Sequence, residues 1–217
     1  VLDLFCGAGG AAMGLHRAWP DAEITGVDID PQPNYPFTFV QDDAMTYPLE
    51  PFDFVWASPP CQAFTQLSAK HRGKGGLADA RVDLLTPMRA RLARVSVPWV
   101  LENVPGARRH MRHLVTLHGG MFGLGVHRPR LFEANFLILA PQASPTVGHV
   151  GVYGRQPDGR RLWDRADGSI HRAAKSLAEG SAAMGIDWMG WRELAEAIPP
   201  AYSQYIARFA PVYERAA

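Results

Sequence analysis

Four short runs carry side chains that can do chemistry. Ser58-Pro59-Pro60-Cys61-Gln62-Ala63-Phe64-Thr65 puts a thiol on a loop behind two prolines. The prolines make a stiff, extended approach, and a thiol so placed becomes a nucleophile when positive neighbours lower its pKa. Leu101-Glu102-Asn103-Val104 ends an apolar stretch with a carboxyl suited to proton transfer. Arg128-Pro129-Arg130 sets two guanidinia at i and i+2, which share one face of an extended segment and suit a small polar ring or a phosphate. Asp3-Leu4-Phe5-Cys6-Gly7-Ala8-Gly9-Gly10 places glycines between a strand and a helix. There the backbone can approach a ligand and the helix N-terminus offers free N–H groups. Asp28 and Asp43 follow the next two strands; the first can accept from ribose hydroxyls, the second from an adenine amino group. Each run also has a plain reading: a small buried thiol, a carboxyl capping a helix, edge-strand cations, a tight turn without a ligand.

The elements that must hold these runs alternate. Residues 1–5, 23–27, 38–40, 52–57, 98–101 and 131–136 read as short strands, and 10–18 as a helix. Val82, Leu85, Met88 and Leu92 recur at spacings of three or four, which predicts a helix over 79–95. Strands alternating with helices imply a mostly parallel sheet with helices on both faces. The glycine, Cys61 and Glu102 runs then fall on the carboxyl rim, where doubly wound sheets bind ligands, and Arg128–Arg130 opens the strand 131–136. Pro31, Pro33 and Pro36 exclude an ordinary helix over 30–36. Residues 140–172 are rich in Gly, Pro and Arg and read as an insert or arm rather than a core element. Helices are expected again at 191–197 and 202–213, separated by Pro199-Pro200.

A chain of 217 residues with 47% hydrophobic and 20% charged side chains makes one globular domain, or one with a small insert, rather than a disordered polymer. No run reaches the ~18 apolar residues of a membrane span. Cys6 and Cys61 alone make neither a disulfide scaffold nor a paired zinc motif, so a reducing, cytoplasmic setting is expected, nucleoid-associated if the host is bacterial. The chain opens inside a strand, so an initiator Met and a few residues are expected ahead of Val1. Its charge is uneven: residues 1–69 carry one basic side chain against nine acids, and residues 70–130 carry twelve against three. A basic middle third suits a phosphate-rich partner, or is a solvated Arg-rich surface.

The order of the four runs resembles that of the cytosine-5 DNA methyltransferase family over almost the whole chain. Asp3–Gly10 resembles its cofactor motif, Ser58–Gln62 its nucleophile motif, Leu101–Val104 its glutamate motif and Arg128–Arg130 its Arg-x-Arg motif, with Val126 where the family has Gln. Ala195-Glu196-Ala197-Ile198-Pro199-Pro200 is similar to the family's closing element, and residues 179–188 loosely resemble the one before it. The resemblance implies an α/β, Rossmann-like, S-adenosylmethionine-dependent fold. It also implies methyl transfer to C5 of cytosine in double-stranded DNA, with the base flipped out of the duplex. Cys61 would add to C6, Glu102 would serve N3, and Arg128 and Arg130 would hold the O2 side. Phe5, Gly7, Ala8 and Gly9 would surround the methionine part of the cofactor, Asp28 its ribose and Asp43 its adenine. Ile29 (where the family often has an aromatic), Ala44, Pro60, Glu196 (in place of Asn) and Ala197 would complete that site.

Nucleic-acid contacts are expected from Gln62, Ser68, Arg72 and Asn103, and from Arg155, Arg160, Arg161 and Arg165 of the insert. Residues 1–139 would form the catalytic domain, 140–172 a short recognition insert, and 173–217 a helical segment completing the domain. With so short an insert, target preference is expected to be brief or relaxed. Two alternatives stay open: the same chemistry on transfer RNA, similar in its Phe64-Thr65 ending, and a binding subunit that keeps the fold without turnover. His110, His113 and His118 are expected on a helix surface, and no metal site is expected there. Cys6 reads as a small residue beneath the turn, and Trp188 and Trp191 as core anchors.

Overall fold

The computed structural model describes residues 1–61, 64, 83–142, 149–164 and 170–211. Strand β1 (Leu2–Leu4) is an interior strand, third in a seven-stranded sheet. It runs parallel to β2 (Thr25–Asp28) on one side, and β3 (Thr38–Gln41) pairs outside β2. On the other side stand β4 (Val55–Ala57) and β5 (Trp99–Asn103), also parallel. Strands β6 (Val115–Leu117) and β7 (Arg130–Ala134) complete the edge, β7 running antiparallel between β5 and β6. The order is β3-β2-β1-β4-β5-β7-β6.

The two-residue period of the strands divides their side chains between two cores. Trp56, Val100 and Phe132 pack with Ala11, Ala12 and Leu15 of helix α1 (Gly10–Ala18) and with residues near the C-terminus. Val55, Ala57, Leu101 and Leu131 face the other way, against Leu85, Met88 and Leu92 of helix α2 (Leu85–Leu92). Burial on both faces is why these strands read as near-continuous apolar runs. Helices α3 (Leu177–Met184), α4 (Trp191–Glu196) and α5 (Pro200–Ala207) follow, and α5 returns onto α1. Among the described residues, no helix is long and apolar enough to cross a membrane.

Several elements depart from the sequence pattern. Helix α2 is shorter than the expected 79–95, of which 79–82 lie outside the described residues. Pro200 begins α5 instead of separating it, because the first helical position has no N–H partner to lose. The three histidines do not share a helix. A 3-10 helix, Pro105–His110, stops at the first, His113 takes a positive φ of 47°, and His118 follows β6. Val115 and Leu117 are buried on either side of Thr116, a strand alternation that overrides the helical reading. Nor is residues 140–172 a coreless arm. Strands β8 (Val150–Gly151), β9 (Arg161–Asp164) and β10 (Ile170–Ala173) make a three-stranded sheet in the order β8-β10-β9. Val150 and Val152 are buried with Met184, Ile186 and Leu194. Strands of two to four residues are too short for an alternation signal to register.

The α1–α5 contact is close enough to require glycine. A Cβ on Gly14 would fall 2.0 Å from Ser203 Oγ and 2.1 Å from the Pro200 carbonyl oxygen. Ser203 Oγ donates to the Ala11 carbonyl at 2.8 Å, so it has no free direction in which to yield. Gly14→Ala is therefore expected to cost about 1–3 kcal/mol of stability. At roughly 2–4 °C per kcal/mol for a chain of this size, thermal unfolding should show a drop of several degrees. An unchanged midpoint would mean the two helices separate freely.

Candidate active site

The carboxyl ends of β1, β2, β4 and β5 form one rim. After β1 the chain turns through Phe5 (φ 55°), Gly7 (φ 47°) and Gly9 (φ 83°) into α1. A Cβ on Gly7 would meet nothing within 4 Å, so the backbone there borders open space. The Gly7 N–H donates to Asp28 Oδ2 at 3.0 Å, and Asp28 Oδ1 accepts from the Asp30 N–H at 3.1 Å. The turn and the end of β2 are thereby fixed together. Ile29, next along, is 67% exposed and forms an apolar step at the rim. Asp43 Oδ1 accepts from the Met45 N–H at 2.8 Å and shapes the turn after β3, while Ala44 is buried. Beneath the turn, Asp3 is fully buried and accepts from Tyr35 Oη at 3.4 Å; burial raises its carboxyl well above the usual range. Cys6 is buried there as a small residue, and burial pushes its thiol up as well.

After β4 the Ser58 N–H donates to the Leu4 carbonyl, and Ser58 Oγ accepts from the Trp56 indole N–H at 2.9 Å. The loop then delivers Pro60 and Cys61, both half-buried, to the rim. Asn103 Nδ2 donates to the Pro59 carbonyl at 2.9 Å. Glu102, next to it, is 5% exposed and pairs with Arg130, whose Nε lies 3.0 Å from Oε1. Burial pushes the Glu102 carboxyl above its ordinary value, against the pull of Arg130, Arg128 and Ser58. Burial, then the Glu102 charge, push the Cys61 thiol up, while Arg130, a backbone donor and Arg128 act the other way. The positive neighbours expected from the sequence are present, but in the free protein they do not outweigh burial. A thiol, a buried carboxyl whose pKa burial raises and a guanidinium therefore meet at one corner of the rim.

The two arginines do not share a face. Arg128 has a φ of 36° and precedes the strand, which starts at Arg130. Its side chain is 2% exposed and donates to three carbonyls: Ala197 at 2.8 Å, Ala195 at 2.7 Å and Val152 at 3.1 Å. Arg128 thus ties the second sheet and the end of α4 to the start of β7, and Arg130 alone of the pair binds Glu102. Asn103 is 1% exposed, with its amide on Pro59 and its Oδ1 on the Val104 N–H, so it positions the Cys61 loop rather than reaching a nucleic acid. Ala197 meets Arg128 through its carbonyl and Glu196 is exposed. Arg155 and Arg160 are exposed, the latter 3.5 Å from Asp158. Arg161 begins β9; its side chain, and Gln62, Ser68, Arg72 and Arg165, lie outside the described set.

Sequence reasoning missed two supports. The Trp188 indole donates to the Ala8 carbonyl at 2.8 Å, bracing the glycine turn from a point 180 residues away, and no local signal marks it. Trp56, in the run that leads to Cys61, holds Ser58; its place two residues ahead of Ser58 was the available clue. Trp191 donates to the Gly154 carbonyl at 3.1 Å, and both tryptophans pack on the third core cluster, as anchors do.

A mostly parallel sheet in this order, with helices on both faces and its chemistry at the carboxyl rim, is the Rossmann-like fold of methyltransferases. The chain belongs to the C-5 cytosine-specific DNA methylase family, whose model matches residues 1–118. It is accordingly a methyltransferase of the cytosine-C5 type. Among solved structures, a protein assigned as a DNA modification methyltransferase encoded within a prophage (E. coli) superposes with a TM-score of 0.64 at 15% identity, covering 96% of this chain and 97% of that one. The Entamoeba histolytica methyltransferase EhMeth superposes with a TM-score of 0.54 at 11% identity, covering 94% and 95%. No curated protein matches the chain.

The coupling between Glu102 and Cys61 has a direct test. The Glu102 charge raises the Cys61 pKa, so Glu102→Gln should lower it. The pH midpoint of Cys61 alkylation by iodoacetamide, followed by peptide mass spectrometry, should then move to lower pH. Cys6, the other thiol, is buried and serves as the unreactive reference. A midpoint that stays put or rises would mean that Glu102 is not ionised beside Cys61 in the free protein.

Proposed function

We propose that this chain transfers a methyl group from S-adenosylmethionine to C5 of cytosine in double-stranded DNA, through a covalent bond between Cys61 Sγ and C6 of a flipped-out base. The observation that carries the reading is the corner where Cys61 stands beside the buried Glu102–Arg130 pair, on the same rim as the glycine turn. When bound, S-adenosylmethionine supplies an electrophilic methyl carried by a sulfonium cation. The residues present fit it. Gly7 leaves open space above the backbone, the half-buried Asp28 carboxylate is a partner for ribose hydroxyls, and Ile29 offers an apolar face to a purine. Phe5, Ala8 and Gly9 belong to the same turn, and Pro60 follows β4 on the same rim. Asp43 and Ala44, in the turn after β3, would complete the adenine side.

Cytosine C5 is a poor nucleophile until C6 carries a substituent. The Cys61 thiolate forms the Sγ–C6 bond, and the electron pair of the C5–C6 double bond becomes available at C5. Glu102 gives its proton to N3, so that negative charge does not build up on the ring. C5 would take the methyl, the donor leaving as its neutral thioether; the C5 proton would then pass to solvent, the Sγ–C6 bond would break to return the Cys61 thiolate, and N3 would return its proton to Glu102. A Glu102 that resists ionisation serves two steps at once. When protonated it carries the proton N3 requires, and while neutral it no longer opposes the Cys61 thiolate. Arg130 fixes the carboxyl and faces the O2 side; Arg128 supports it from behind through the carbonyls it binds. Arg155 and Arg160, exposed between β8 and β9, would contact phosphates from the insert, which suits a brief or relaxed target preference.

The test is incubation with labelled S-adenosylmethionine and either duplex DNA or transfer RNA, followed by nucleoside analysis. We expect 5-methylcytosine in the DNA and none after Cys61→Ser. Label in transfer RNA alone would move the chemistry to RNA, and label in neither would leave a binding subunit.

A further inference from the structure

The basic middle third of the sequence sorts into two groups once folded. Of its described arginines, Arg89 pairs with Glu133 at 2.6 Å, and Arg91 donates to the carbonyls of Ala44 and Tyr47. Arg128 and Arg130 are committed to the site, as above. Four remain exposed: Arg94, Arg108, Arg109 and Arg112. Arg94 follows α2, before β5 begins, and so lies at the amino end of that strand. The other three lie within eight residues of Pro105, directly after β5 delivers Glu102 to the rim.

This basic segment is rigidly mounted, and its mount is the nucleophile loop. Ala107 and Met111 anchor it in the core. The Arg112 N–H donates to Glu133 Oε2 at 2.7 Å, and Arg108 donates to Thr116 Oγ1 at 3.1 Å. A Cβ on Gly106 would lie 2.0 Å from the Phe64 carbonyl oxygen, and the Phe64 and His110 rings stand 4.8 Å apart. Phe64 is three residues beyond Cys61, and its N–H donates to the Cys61 carbonyl at 2.9 Å. The acids near the segment are already engaged: Glu133 by Arg89 and the Arg112 N–H, and Asp83 by His110 at 3.8 Å. Among the described residues no carboxylate pairs with the three guanidinia. Across the rim the cofactor side is acidic, with Asp30, Asp42 and Asp43 exposed. A polyanion is repelled there and drawn toward the basic segment.

We infer that Arg108, Arg109 and Arg112 are the phosphate-binding surface that seats the DNA backbone beside the Cys61 loop. This rests on the function proposed above, because it takes the strand carrying the target cytosine as the ligand. Preformed cations bolted to the loop that meets the base fix the register of the backbone without reading sequence. Each neutralised phosphate contributes about 0.9 to the slope of log affinity against log salt for duplex DNA.

The experiment measures binding of a fluorescent duplex by anisotropy across a salt series, for the full chain and two variants. In Arg108→Gln/Arg109→Gln/Arg112→Gln the slope should become shallower by about 2–3, with weaker affinity on every sequence tried. Arg94→Gln should match the unsubstituted chain. Thermal unfolding and calorimetry with S-adenosylmethionine establish that the triple variant is folded and keeps its cofactor site. A triple variant that binds duplex with unchanged affinity and slope overturns the inference, as does equal weakening by Arg94→Gln, which would indicate net charge alone. If the unsubstituted chain methylates DNA while the triple variant binds normally, only this inference fails. If the unsubstituted chain neither binds nor methylates duplex, the proposed function fails with it.

Discussion

The site depends on one buried ion pair. Glu102 at the end of β5 is nearly inaccessible, and an isolated carboxylate there would carry a desolvation cost of several kcal/mol. Arg130 at the start of β7 offsets it from 3.0 Å, and the antiparallel pairing of β5 with β7 brings the two together. Register places Glu102 opposite Phe132 and Asn103 opposite Leu131, so Arg130 follows at the rim, level with the loop that carries Cys61. A slip of one residue would turn every side chain of β7 to the other face. The antiparallel strand is therefore what allows a cation from late in the chain to face a carboxyl from its middle.

From that pair, support spreads by hydrogen bonds to the backbone. Asn103 holds Pro59, Trp56 holds Ser58, and Trp188 holds Ala8. Arg128 gathers the carbonyls of Val152, Ala195 and Ala197, so the second sheet and the C-terminal helices are bound to the same corner. A fully buried guanidinium needs such acceptors, since burial and the neighbouring Arg130 both disfavour its charge. The thiol meets the opposite condition. Burial and the Glu102 charge raise its pKa, and the two arginines act the other way. The carboxyl and the thiol are thus coupled, and ionising one disfavours ionising the other.

Much of this was legible in the residues. The central strands declared themselves because burial on both faces leaves unbroken apolar runs such as Phe54–Ala57 and Trp99–Leu101. The glycine, Cys61 and Glu102 runs fell on the carboxyl rim because each follows a parallel strand, whereas Arg130 opens β7 and reaches that rim only because β7 is antiparallel. What could not be read were contacts over long separations. Nothing near Arg128 in sequence says that its partners are Val152, Ala195 and Ala197, and spacing alone suggested that it faces the same way as Arg130. The small second sheet was hidden because its strands are too short to show alternation, though Val150 and Val152 are both buried. The histidine-bearing stretch, expected as a helix, misled for a related reason: Val115 and Leu117 alternate inward in a strand of only three residues.

The central claim is that Cys61 bonds to the base. A duplex containing 5-fluorocytosine tests it most directly, because fluorine replaces the proton that must leave C5 before the Sγ–C6 bond can break. Incubated with S-adenosylmethionine, the chain should form a protein–DNA complex that survives denaturation, and peptide mapping should place the attached nucleotide on Cys61. No such complex from a preparation that methylates the unfluorinated duplex, or attachment at any other residue, would contradict the account.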